Sequence, residues 1–215
     1  MNTCISEFWN YFQKNQYAFQ MLQEMESDKR CELLNELNRL INNFHPKIGF
    51  IFKMKNDGCE LIITAYGNPY LFKSVELLVK YAPTIDKWTF TAFIQPFANL
   101  DKYKSGTDKP LEYFGISLKI SDMKFQTTLT ENNPLLISIE VYIKNLILHN
   151  YNDHLTSAVY IILEHLLGEK SFANEIHSVK ITQLTAENDG TSTQLYNLPT
   201  YIKIARGLSA EELSL

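Results

Sequence analysis

One helical stripe of apolar residues occurs twice along this chain. Leu71, Val75, Leu78, Val79 and Ala82 recur as Leu155, Val159, Ile162, Leu163 and Leu166, 84 positions later. Both sets keep the i, i+4, i+7, i+8, i+11 spacing that lines one side of an α-helix. Strand-like alternation precedes each helix and follows it. Ile48, Phe50, Phe52 and Met54 alternate ahead of the turn residues Asn56-Asp57-Gly58, and Leu61, Ile63 and Ala65 form the return. That pattern predicts a β-hairpin over 48–66. Asn68 and Pro69 offer N-cap and first-turn chemistry, Pro83 ends the helix, and 88–94 reads as a third strand. The second copy runs through strands at 113–120, 124–129 and 135–143. A helix capped by Asp153 and stopped by Gly168 follows, then a strand at 176–184.

Ahead of both copies, Phe8, Phe12, Phe19 and Leu22 share one side of a helix predicted over 6–25. Ser27 and Asp28 cap a second, whose stripe is Leu33, Leu34, Leu37, Leu40, Ile41 and Phe44, closed by Pro46. The expected architecture is a single α+β domain over 1–215 with a mainly antiparallel sheet. Its parts are a helical hairpin (1–46), a first β-β-α-β unit (47–97), a connector (98–112), a second β-β-α-β unit (113–185) and a tail (186–215). Helices on one side of such a sheet relate it to ferredoxin-like folds. Loop composition fills the connector, and in the tail Leu195, Leu198, Tyr201 and Ile204 are expected to pack on the outside, with 209–215 fraying.

Composition narrows the classes. The 215 residues carry a net charge of −4, and the cluster Lys102, Lys104, Lys109 is partly cancelled by Asp101 and Asp108. A nucleic-acid surface needs clustered cations to neutralise phosphates, so none is expected. No run approaches the roughly 18 apolar residues of a membrane span, and the first residues lack the charge and apolar core of a signal peptide. Cys4, Cys31 and Cys59 are odd in number and widely spaced, which points to free thiols and a cytoplasmic protein.

Candidate chemistry is sparse. His154 and His165 lie roughly 16 Å apart along one helix at 1.5 Å per residue, too far to share a metal. Gly168 separates His165 from Glu169 by ending the helix. Glu164 with Glu169, and Glu131 with Glu140, are carboxylate pairs that surface solubility explains. No Gly-x-Ser-x-Gly elbow and no glycine-rich phosphate loop is present. Catalytic residues, cofactor and metal are therefore all assigned as none. Two candidate sites remain. Trp9, Tyr11 and Tyr17 fall off the apolar stripe of the first helix, where exposed rings would mark a partner surface. His149, Tyr151, Asp153 and His154 would line a polar cleft between the two repeated units.

Several segments resemble an uncharacterised bacterial family of domains of unknown function. They are Phe8-Trp9, the run Glu60-Leu-Ile-Ile-Thr-Ala-Tyr-Gly67, Tyr81-Ala82-Pro83 followed by Trp88, and Leu166-Leu167-Gly168-Glu169. That family is similar to a small ferredoxin-like group that includes regulators of an RNA-degrading enzyme. The resemblance implies a fold and carries no catalytic residue. The expected function is a non-catalytic protein-binding or regulatory module, with another protein or a second copy of the chain as partner. The alternative is an enzyme or small-molecule binder using the polar cleft.

Overall fold

The computed structural model describes residues 3–55, 57–130, 133–148 and 153–207. Asn56, Glu131, His149, Tyr151 and the segment 209–215, which figure in the expectations above, lie outside the described residues. The chain is a mixed α+β protein and divides into two compact units, Met1–Ile94 and Gln95–Leu215.

In the first unit, helices α1 (Thr3–Lys14), α2 (Gln16–Gln20) and α3 (Ser27–Phe44) precede β1 (Gly49–Lys55) and β2 (Gly58–Thr64). Helix α4 (Phe72–Lys80) and β3 (Trp88–Ala92) follow. The helix expected over 6–25 is broken at Asn15. There the side-chain amide donates to the Tyr11 carbonyl at 2.9 Å, competing with continued helix. Ser27 begins α3 without a capping side-chain bond, the N-cap position falling to Glu26. Strands β1 and β2 pair antiparallel, and β3 adds parallel to β2. A parallel neighbour needs a crossover, which α4 supplies.

The register builds rows of like chemistry. Phe52, Leu61 and Phe90 stand side by side, and next to them Met54, Cys59 and Trp88. Helix α1 lays Phe12 onto this face, its ring 4.8 Å from Trp88, 5.3 Å from Phe90 and 4.9 Å from Phe19. Phe8, Phe12, Phe19, Leu37, Ile41, Leu61, Ile63, Val75 and Leu78 are buried. The opposite face carries Glu60, an acid that is almost buried. Burial alone would raise its pKa, but hydrogen bonds from Thr91 (2.5 Å) and Lys55 (3.1 Å), with the charge of Lys53, outweigh that and hold it below the usual range.

The second unit begins with α5 (Asp101–Lys104), β4 (Leu111–Tyr113) and β5 (Ile116–Leu118). Strands β6 (Lys124–Thr130) and β7 (Asn133–Ile143), helices α6 (Leu155–Leu167) and α7 (Glu169–Glu175) and strand β8 (Ile176–Gln183) come next. Helix α8 (Ala186–Asp189), strand β9 (Thr193–Gln194) and helix α9 (Leu198–Ala205) complete it. Its main sheet has the order β8-β7-β6-β9, with β8 parallel to β7 and the other neighbours antiparallel. In both units an antiparallel hairpin leads through helix, α4 in the first and α6 with α7 in the second, to a strand parallel to the hairpin's second strand.

Three local expectations change here. The strand expected over 113–120 is a hairpin, because Phe114 and Gly115 both take positive φ (54° and 76°) and reverse the chain. The segment assigned to the connector holds α5, whose Tyr103 is buried in the core, together with the buried Asp108. In the tail, Leu195, Leu198 and Ile202 are core residues, whereas Tyr201 and Ile204 are exposed. Leu195, Leu198 and Ile202 join Phe125, Ile139, Val141, Ala158, Val159, Ile162, Leu163 and Leu166 in one continuous cluster.

Candidate functional site

The second unit carries a groove of about 680 Å³. Residues 96–101, the C-terminal turn of α6, helix α7 and helix α9 form its walls. Phe97 fixes the first wall. Its N–H donates to the His165 carbonyl at 2.8 Å, and its ring stacks on the His165 imidazole at 5.3 Å. Lys102 places its ammonium over the Phe97 and Tyr103 rings, at 5.6 and 4.8 Å. His165 is held in turn by Nδ1 against the Ile161 carbonyl at 2.8 Å. A carbonyl can only accept, so Nδ1 carries the hydrogen in that contact.

The chemistry of the groove centres on Glu175. This last residue of α7 is 4% exposed, and its Oε1 pairs with Arg206 Nη1 at 2.8 Å. Its Oε2 is buried and has no hydrogen-bond partner among the described residues. A buried carboxylate oxygen normally accepts hydrogen bonds, so this one is an acceptor in waiting. Leu166, Leu167, Pro199 and Ile202 give the groove apolar walls, while Lys104, Lys203 and Asp101 bring charge to it.

Among the residues expected to form a partner surface, Trp9 is corrected. It is 4% exposed and its Nε1–H donates to the Leu78 carbonyl at 2.9 Å, so it fastens α1 to α4 rather than facing a partner. Tyr11 is half-buried with its hydroxyl on the Leu33 carbonyl at 3.3 Å, and burial raises its pKa, helped by Glu36. Tyr17 is 73% exposed, and Met21, one helical turn on, is exposed beside it in sequence.

Of the polar-cleft residues, Asp153 and His154 are described and both are exposed. His154, not Asp153, occupies the N-cap position of α6, without a side-chain capping bond. Its ring is stacked on Phe114 at 4.9 Å. Among the described residues, no group of three His, Cys, Asp or Glu side chains is placed to hold a metal.

Two polar clusters lie elsewhere in the second unit. On the sheet, Glu140 accepts from Lys180 (2.7 Å), Thr182 (2.6 Å) and Tyr142 (3.2 Å), and the bond from Lys180 leads in holding its pKa low. On α6, burial and then the charge of Glu169 push Glu164 up to about 7. Glu175, Arg206 and Phe97 were missed by the sequence reading. Their partners lie on different elements, and no local spacing brings them together. Comparison with family models, curated proteins and solved structures finds no match. Among the described residues, no helix is long and apolar enough to cross a membrane.

Proposed function

We propose that this chain is a non-catalytic, regulatory binding module that accepts a peptide segment of a partner protein in the groove of its second unit. The carrying observation is the buried Glu175, ion-paired to the exposed Arg206 and with its Oε2 lacking a partner among the described residues, in a groove of mixed character. A peptide supplies N–H donors for Oε2 and apolar side chains for the Leu166 and Ile202 walls. Because Arg206 already neutralises the carboxylate, the donor need not be charged. The partner is a protein rather than nucleic acid or a membrane, in keeping with the net charge of −4.

The shared connection order of the two units, with the matching stripes starting at Leu71 and Leu155, supports an internal duplication of a β-β-α-β module. A ferredoxin-like relationship and kinship with the bacterial family of unknown function belong to the same proposal. The free thiols of Cys31 and Cys59 support a cytoplasmic setting.

The test is a groove-blocking substitution. Thr200 is exposed and lines the groove, so Thr200→Arg fills it without disturbing the core. A partner identified by affinity capture and then purified should bind this variant at least about tenfold more weakly, a loss of about 1.4 kcal/mol. Equal affinity for the variant and the parent protein would remove the groove from the function.

A further inference from the structure

Helices α4 and α6 carry matching core stripes but differ in what lies on a second side of each. Tyr70, Leu77 and Tyr81 keep the i, i+7, i+11 spacing of one helix side, starting in the turn Pro69–Leu71 and running along α4. All three are exposed, at 94%, 41% and 44%. Leu71, Phe72, Val75 and Leu78 supply the buried side of the same helix, so this row is additional to the one the core uses. A row of large apolar side chains left in water along one helix side marks an interaction surface. Lys73 and Lys80 flank it, both exposed and without an ion-pair partner among the described residues.

The second unit shows what such a side receives. The 84-residue offset that aligns the core stripes puts His154, Ile161 and His165 at the places of Tyr70, Leu77 and Tyr81. Phe114, from the β4–β5 hairpin, stacks on His154 at 4.9 Å, and Phe97 stacks on His165 at 5.3 Å, each with ring planes 29° apart. Phe97 also donates its N–H to the His165 carbonyl at 2.8 Å, and Ile161 and His165 are half-buried. In the first unit the Tyr81 carbonyl accepts no hydrogen bond from a described residue, and no described ring stacks on Tyr70 or Tyr81. The helix side is the same by position, but the two rings and the N–H that meet it on α6 are missing among the described residues of the first unit.

We infer that this side of α4 docks an extended, acidic segment of a partner protein through two aromatic side chains, one stacked on Tyr70 and one on Tyr81. The two rings must span roughly 16 Å, eleven residues at 1.5 Å each, which an extended chain covers in about five residues. A backbone N–H of the segment meets the Tyr81 carbonyl, as that of Phe97 meets His165. Its acidic residues answer Lys73 and Lys80, and a net charge of −4 makes a second copy of this chain the poorer occupant. The inference rests on the positional match of the two β-β-α-β modules proposed above and is separate from the groove.

The probes are synthetic glutamate-rich peptides with two phenylalanines four, five or six positions apart, titrated into the 15N-labelled full chain. The peptide of matching spacing shifts the Tyr70, Leu77 and Tyr81 amides saturably, and replacing both phenylalanines by alanine weakens it at least about tenfold. Tyr70→Ser combined with Tyr81→Ser, both at exposed positions, has the same effect while the thermal melt stays that of the parent. Lys73→Glu with Lys80→Glu turns the glutamate peptides away and admits their lysine-bearing counterparts. Three peptides that all leave these amides in place overturn the inference, and so does a double tyrosine variant that binds like its parent. Shifts of the same amides on raising the protein concentration alone make a second copy the occupant and overturn it as well. The readout lies on α4, so any such failure leaves the groove to be judged by its own variant.

Discussion

Gly58 lies so close to the Lys87 carbonyl that a methyl group cannot be added without moving backbone, and its φ of 154° adds to the difficulty. Gly106, by contrast, has φ of 68° but open space where a Cβ would project, with no atom of the described residues beyond its chain neighbours within 4 Å. Gly58→Ala is therefore expected to cost about 2–3 kcal/mol, and Gly106→Ala about 1 kcal/mol, in urea unfolding. Equal costs would mean that φ and not the close approach matters. Phe12 offers a second contrast. It is fully buried among Phe19, Trp88 and Phe90, so Phe12→Ala should cost about 3–5 kcal/mol. Tyr17→Ala, at an exposed position of the same helical region, should stay within about 0.5 kcal/mol of the parent.

Helix α6 carries the pH dependence. Glu164 is half-buried, and its pKa is raised from 4.5 to about 7 by burial and by Glu169. The folded state therefore favours the protonated carboxyl. Its contribution is most favourable below about pH 4.5, falls as pH rises, and is fully lost above about 7. Glu164→Gln keeps the neutral form at every pH. It should raise stability at pH 8 by on the order of 1–2 kcal/mol, a discounted figure because the carboxyl retains contact with water. At pH 4.5 the two proteins should differ little. Urea midpoints at the two pH values measure this, and a constant difference would refute the assignment. Glu140 on β7 behaves oppositely: its pKa is lowered by Lys180 and Thr182, so the help it gives is lost as pH falls through the acidic range.

Each unit of the protein has a core of its own. Rings on α1, α2, β1 and β3 meet in the first, and α6, α9, β6 and β7 close around the second. Domains of about 50–250 residues with their own core can fold alone. A fragment comprising residues 95–215 is expected to show cooperative unfolding and a structured near-ultraviolet dichroism spectrum. A non-cooperative melt would show that its core depends on residues 1–94.

Much of this architecture was already written in the order of apolar residues. Periodicity is a local property, so the stripes at Leu71 and Leu155 and the alternation through Phe50 and Phe52 specified helices and strands directly. Where short-range chemistry competes with periodicity, the pattern misled: Asn15 breaks a helix, and Phe114-Gly115 turns a strand back on itself. Burial of Trp9 rests on α4, far along the chain, which supplies the Leu78 carbonyl. The pairing of Glu175 with Arg206, and the burial of the Trp88 indole N–H without an acceptor among the described residues, likewise belong to tertiary structure. The sequence by itself determined which segments fold and which side of each is apolar, because those follow from neighbours within a turn or two. Only the folded chain decided which polar groups are left facing a cavity, because that depends on what long-range packing brings to them and what it withholds.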